Sequence, residues 1–154
     1  MAKASLMGSF GVADPTRLSS SNFVLDALND AGHTLAISPH LLDEYWRLTA
    51  ELGGGACIVH IVVRRLSELR QAGRLVRSNP KLEPPDLHEI EPKDRHVVRC
   101  AVGAKANIIV SRDSNHLVSP DAAKLLHDRY GIEAMRPREY RQLCRQSVRT
   151  AQST

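Results

Sequence analysis

The amino-acid sequence predicts an α/β fold, a three-layer α/β/α sandwich with a central parallel sheet. Short apolar runs at 34–38, 107–110 and 132–135 alternate with longer segments of helical periodicity. This alternation is typical of βαβ units, which bring parallel strands together between helical layers. The run NIIV at 107–110 has no polar alternation, as expected for a strand that is buried on both faces.

Length and composition describe an ordinary globular chain. The 154 residues are about one domain's worth, and we expect a single domain over 1–154 with a tail at 147–154. The net charge of +4 permits a polyanionic partner without requiring one. Three cysteines at scattered spacing indicate reduced thiols, so we expect a cytoplasmic protein. No stretch approaches the ~20 apolar residues of a membrane span, and no signal peptide is predicted.

Helix-capping residues and glycines mark where the predicted elements begin and end in the first part of the chain. Residues 1–12 are small and apolar and predict a first strand or lead-in. Ser38-Pro39 places a cap and then Pro at the first helical position, which is the preferred way to begin a helix. Gly53-Gly54-Gly55 is expected to end that helix. The predicted elements here are a helix ending at Gly32, a strand at 34–38 and helices at 40–52 and 56–72.

The second part repeats the same signals. A brief edge strand at 75–76 leads into a Pro-rich surface loop at 78–92, within which a short strand is predicted at 87–90. Asp94 stands at the start of a helix, where a carboxylate can accept bonds from free backbone N–H groups. The remaining elements are helices at 96–104, from Ser119-Pro120 to Gly131 and from Pro137, with strands at 107–110 and 132–135.

Three acids stand out by position. Glu44 lies in the first turns of the helix after strand 34–38, Asp94 begins the helix at 96–104, and Asp113 follows strand 107–110. Ligands of open parallel sheets bind beyond the carboxyl ends of the strands, so all three acids are candidates for one crevice. Clustered carboxylates repel one another unless a cation neutralises them. Mg²⁺ or Mn²⁺ takes such oxygen ligands, which favours phosphodiester hydrolysis.

Each acid also has a structural explanation. Acids in a first helical turn, such as Glu44, are favoured by the helix dipole alone. Asp94 is equally explained as a helix cap. Asp113-Ser114-Asn115 is ordinary turn chemistry, and for Asn115 a turn role is favoured over that of an outer ligand.

The joint pattern resembles the PIN-domain family of metal-dependent ribonucleases, which includes VapC-like toxins. Three segments carry the resemblance: ISPHLLDEYWRL with Glu44, EPKDRHVVRCAVGAKANIIVSRDSNHL with Asp94 and Asp113, and GIEAMRPREY. The resemblance implies that these three acids are catalytic ligands of Mg²⁺ or Mn²⁺ and that RNA is the substrate. It also implies that Ser111 faces the site and that Asn115 stands where many members have a further Asp.

The pattern departs from the family at the first strand. ASLMGSFG resembles the segment just after the family's first acid, and that acid would fall at about Ala2 or just before Met1. Asp14 is the nearest acid, in a turn beyond that place. The first metal ligand is therefore expected to be absent from this sequence, through a misplaced start or through its loss.

Two functions are open from the sequence alone. One is an active ribonuclease, with an antitoxin partner if the protein is a toxin, and with a homodimer as the expected assembly. The other is a degenerate module that binds RNA or a protein without cutting. Its candidate basic residues are Arg64, Arg65, Arg70, Arg74, Arg77, Arg136, Arg138, Arg141 and Arg145. A phospho-acceptor or nucleotide-binding domain and a zinc site are weaker alternatives, because the chain has neither a phosphate-binding glycine loop nor histidines at ligand spacing.

Overall fold

The structure is a computed structural model that describes residues 24, 27–51, 55–79, 81, 86–111 and 115–153. The predicted first strand, Asp14 and Asp113 lie outside these residues. A helical segment at 27–30 precedes the labelled elements. The strands are β1 (Leu35–Ile37), β2 (Leu75–Arg77), β3 (Ile108–Val110) and β4 (Glu133–Met135). The helices are α1 (Pro39–Glu51), α2 (Gly55–Gln71), α3 (Arg95–Gly103), α4 (Pro120–Tyr130) and α5 (Pro137–Gln152).

The predicted parallel pairing is confirmed. β1 pairs with β2 with Leu35 opposite Leu75, and β3 pairs with β4 with Ile108 opposite Glu133. The described strands form these two ladders as separate two-stranded sheets. Parallel strands require long crossovers, and helices supply them: α1 and α2 connect the first pair, and α4 connects the second.

Helices cover both faces of β3, as a three-layer fold requires. Its residues Ile108, Ile109 and Val110 are all buried. Side chains alternate across a strand, and Ile109 packs in one core cluster while Ile108 and Val110 pack in another. The first cluster holds residues from α1, α3 and α4, including Leu41, Val98 and Leu126. The second holds residues from the first helical segment, α2 and α5, including Leu28, Leu69 and Tyr140. The α/β fold class is confirmed.

Two predicted features of the loops and termini are wrong. Residues 87–90 form a turn rather than a strand, with the Ile90 amide donating to the Leu87 carbonyl at 3.0 Å. The turn buries Leu87 and Ile90 and leaves His88 and Glu89 exposed. The expected tail at 147–154 is helical through Gln152. No Gly or Pro interrupts it, and Val148 lines a cavity together with Ala27.

Glycine brings α3 close to the segment after β2. A Cβ at Gly103 would lie 2.7 Å from the Asn79 carbonyl oxygen and would overlap the Ser78 hydroxyl. The close approach allows the Asn79 amide to donate to the Gly103 carbonyl at 2.9 Å. Gly103 therefore fixes the chain leaving β2 against the end of α3.

Two of the three cysteines, Cys100 and Cys144, are free and buried. The described part of the chain contains no helix that is both long and apolar enough to cross a membrane. That residues 1–154 form one domain stays a prediction.

We expect the protein to lose stability between about pH 9 and pH 11. Burial raises the pKa of the Cys100 thiol from 9.0 to about 11, and burial also raises the pKa of the Tyr140 hydroxyl. An unfolded chain releases the thiol proton at a lower pH than the folded one, so rising pH favours unfolding across this window. By this linkage, ionisation of Cys100 alone lowers the free energy of unfolding by about 2 kcal/mol between the two ends of the window.

Urea unfolding at the two ends of this window measures the effect. The Cys100→Ala variant is expected to be less stable throughout but to show a shallower dependence on pH. An unfolding free energy that is equal at both ends for the unsubstituted protein would contradict the prediction.

Candidate functional site

The end of β3 leads into the predicted site. Ser111 directly follows the strand and is 3% exposed, and its amide donates to the Met135 carbonyl at 3.0 Å. Asn115 is exposed in a turn that precedes α4. These two residues bound the segment 112–114 that contains Asp113. Ser111 thus lies at the carboxyl end of a buried parallel strand, and its role beside a site stays a prediction.

Asp94 does not act as a helix cap. It ends a short 3-10 turn, Pro92–Asp94, that precedes α3, and its side chain makes no capping hydrogen bond. Its backbone has φ −102° and ψ −6°, whereas a capping residue normally has extended backbone. Asp94 interacts with other groups, but its buried Oδ2 accepts no hydrogen bond from the described residues. The predicted bonds to free N–H groups of the helix are therefore wrong.

Asp94 and Asn115 line one cavity of about 180 Å³, which we call the Asp94 cavity. Its other acidic lining residues are Glu89, Glu91 and Asp121. Asp121 lies in the first turn of α4, after Ser119, whose hydroxyl caps the helix by accepting from the Ala122 amide at 3.4 Å. Carboxylates gathered around a small cavity repel one another, and a bound cation would relieve that repulsion.

Glu44 lies elsewhere. On α1, its Oε2 is 2.7 Å from Nε2 of His96, and both side chains are largely buried. His96 in turn stacks on His40, with ring centroids 4.3 Å apart and planes inclined by 11°. These three residues line a second cavity together with Asp43, Arg47 and Lys93. The structure thus places Glu44 and Asp94 in different cavities.

The arrangement bears directly on a metal site. Within the described residues, no group of three or more His, Cys, Asp or Glu side chains is placed to hold a metal ion. Asp94 and Asn115 share a cavity, and Glu44 is held by His96.

Sequence reasoning missed two residues that line the candidate cavities, His96 and Asp121. His96 lies two residues after Asp94, but nothing in the sequence connects it with Glu44, 52 positions away. Asp121 follows a Ser-Pro helix start, the same local signal that drew attention to Glu44 after Ser38-Pro39. Applying that signal to every Ser-Pro start in the chain finds Asp121.

A family model described as the PIN domain matches residues 9–115 of the chain. The matched range contains Glu44, Asp94, Ser111, Asp113 and Asn115, and it ends before α4 and α5. No curated protein and no solved structure matches the chain.

Proposed function

The chain belongs to the PIN-domain family, and from that premise we propose that it is a metal-dependent ribonuclease that hydrolyses the phosphodiester bonds of RNA. PIN domains are nuclease-like domains that generally use divalent metal ions. One observation carries the proposal: Asp94 lines the same cavity as Asn115, two residues beyond Asp113. Asn115, the first described residue after Asp113 in the chain, therefore lies beside this cavity.

In this proposal, Asp94 and Asp113 hold Mg²⁺ or Mn²⁺ at the Asp94 cavity. These ions prefer oxygen ligands and are commonly held by one or two carboxylates together with substrate phosphate. When bound, the ion acts as a Lewis acid and lowers the pKa of a water molecule bound to it. Asn115 lines the same cavity, and Ser111 follows the end of β3; both are proposed to orient the substrate phosphate or ordered water.

Glu44 enters the proposal as the third carboxylate, with a smaller effect. Its hydrogen bond with His96 would have to break before it could join Asp94. Breaking a buried hydrogen bond to a carboxylate carries a desolvation cost. We therefore expect Glu44→Gln to reduce cleavage less than a substitution at either aspartate.

The test is cleavage of a mixed RNA pool by the full chain with Mn²⁺, with Mg²⁺ and with a chelator. Cleavage is expected with either ion, and neither the chelator-treated protein nor Asp113→Asn should cleave. Asp86→Asn is the matched control, since Asp86 is an exposed acid that does not line the Asp94 cavity. Cleavage that survives both chelator and Asp113→Asn would overturn the proposal.

A second candidate is a PIN-like module that binds RNA or a protein without cutting. The pairing of Glu44 with His96, away from Asp94, favours it. It predicts that the affinity for RNA does not depend on divalent metal and that no cleavage occurs under any of the conditions above. The cleavage assay together with a binding assay separates the two functions.

A toxin role is the finer form of the first proposal. It rests on the similarity of segments 37–48, 91–117 and 131–140 to VapC-like toxins. In that role the protein would act in the cytoplasm, where its RNA substrate is, as a homodimer inhibited by an antitoxin protein. Induced expression should then arrest growth in an Asp113-dependent way, and a neighbouring gene product should relieve the arrest.

A further inference from the structure

A basic cavity of about 660 Å³ lies at the carboxyl ends of β1 and β2. Its polar lining comes from three places: Ser38 and His40 where β1 leads into α1, Arg77 and Asn79 where β2 ends, and His96 and Arg99 on α3. We call it the Arg77 groove. Among the described residues that line it, none is acidic.

Arg77 and Arg99, the two arginines of the groove, form no ion pair with another residue in the described part of the chain. By contrast, Arg64 and Arg65 both donate to the Glu68 carboxylate, at 3.0 and 3.2 Å. Arg74 donates to the Asn29 carbonyl at 2.8 Å. Arg77 and Arg99 are exposed, and neither forms an ion pair or side-chain hydrogen bond with another described residue. Of the basic residues predicted from α2 and β2, Arg77 therefore both lines this cavity and has a guanidinium that pairs with no other described residue.

The backbone around the groove is firmly fixed. The Ser78 amide donates to the Ile37 carbonyl at 2.9 Å, which extends the β1–β2 ladder beyond Arg77. The Asn79 amide donates to Gly103, and the absence of a side chain at Gly103 permits that approach. The Ser38 hydroxyl accepts from the Leu41 amide at 3.3 Å and caps α1. The arginines thus project from a rigid frame, which lowers the cost of binding.

The lining chemistry suits phosphate diesters. A guanidinium donates two parallel hydrogen bonds to phosphate oxygens and keeps its charge at any working pH. The groove is much larger than one phosphate needs. His40 and His96, which stack on each other, line both this groove and the cavity of Arg47 and Lys93. The next residue, Asp94, lines the Asp94 cavity. The adjoining cavity thus extends from the Arg77 groove to the residue before Asp94, and its lining combines two basic residues with two acids, Asp43 and Glu44.

We propose that the Arg77 groove binds the phosphodiester backbone of single-stranded RNA through Arg77 and Arg99 and leads the strand to the Asp94 cavity. The delivery step rests on the proposed ribonuclease function, whereas binding in the groove needs no metal. An RNA-binding assay therefore tests the groove, and a cleavage assay tests the ribonuclease function, so either proposal can fail while the other stands.

The experiment measures binding of a fluorescent single-stranded RNA of about 12 nucleotides to the full chain in chelator, across a range of salt. The Arg77→Gln/Arg99→Gln variant is expected to bind about tenfold more weakly. The slope of log affinity against log salt should fall by about 1.4, for two lost phosphate contacts. Lys105→Gln/Arg149→Gln removes the same charge from exposed positions that do not line the groove, and this variant is expected to bind as the unsubstituted protein does. All four side chains are at the surface, and circular dichroism checks that the variants fold.

Three results would overturn the proposal. The groove variant binds RNA as tightly as the unsubstituted protein, or both double variants weaken binding equally, which would show a response to net charge alone. Alternatively, adenosine monophosphate displaces the RNA completely at an equal phosphate concentration, which would make the groove a mononucleotide site. If the groove variant alone loses binding while no condition gives cleavage, the binding proposal stands and the ribonuclease proposal fails.

Discussion

Asp94→Asn is expected to reduce metal-dependent RNA cleavage about 100-fold or more. Asparagine keeps the size and one oxygen of the side chain but removes the negative charge that we propose holds the cation in the Asp94 cavity. A loss of about 2.7 kcal/mol of transition-state stabilisation gives this factor, and metal ions commonly contribute several kcal/mol. Asp94 makes no capping hydrogen bond to α3, so the substitution should leave the helix start intact.

The matched control is Asp43→Asn. Asp43 is an exposed acid on α1 that lines the cavity of Glu44 and His96 rather than that of Asp94. Its substitution removes the same charge and is expected to change cleavage by less than about threefold, since exposed charges interact weakly through water. Equal losses in the two variants would contradict a specific role for Asp94 and indicate a general electrostatic effect.

Tyr140→Ala is expected to destabilise the fold by about 3–5 kcal/mol, the range for deleting a large buried ring. Tyr140 is fully buried and packs with Val24, Leu28, Leu35 and Val110 in the second core cluster. Its hydroxyl lies 2.8 Å from Nδ1 of the buried His33, which connects α5 to the turn before β1. Truncation leaves both a cavity and a buried imidazole nitrogen without its partner.

Tyr140→Phe isolates the hydrogen bond from the packing. It is expected to cost about 1–3 kcal/mol, because His33 keeps its place in the core but loses a bond there. Tyr130→Phe is the control: that hydroxyl donates to the Asp86 carbonyl at 3.1 Å in a solvent-exposed contact. We expect the control to change stability by less than about 0.5 kcal/mol. Urea denaturation gives all three values, and equal costs at Tyr140 and Tyr130 would contradict the assigned role of the buried bond.

Local signals predicted most of the fold because the chain marks its own boundaries. Ser38-Pro39 and Ser119-Pro120 each begin a helix with a serine cap that the structure shows. The apolar run at 107–110 became the fully buried strand β3. At 87–90 the same reasoning failed, because Leu87 and Ile90, three residues apart, both anchor a turn to the core. Apolar residues at the ends of so short a segment do not distinguish a turn from a strand.

The candidate site was predicted only in part because its geometry depends on distant pairs. The proximity of Asp94 and Asn115 follows from βαβ topology, which brings the start of α3 and the end of β3 together. The bond between Glu44 and His96 joins α1 to α3 across 52 positions, and no local pattern specifies it. The groove could not be predicted because the sequence does not show that Arg64, Arg65 and Arg74 bind other side chains or carbonyls, while Arg77 binds no other residue in the described ranges.

The most direct test of the proposed ribonuclease centre is Mn²⁺ binding to the full chain, measured by electron paramagnetic resonance in parallel with Asp94→Asn, Asp113→Asn and Asp43→Asn. We predict one ion bound by the unsubstituted protein and by Asp43→Asn, with binding weakened at least about tenfold in each of the other two variants. Mn²⁺ binding that is unchanged by both Asp94→Asn and Asp113→Asn would contradict a metal centre at the Asp94 cavity.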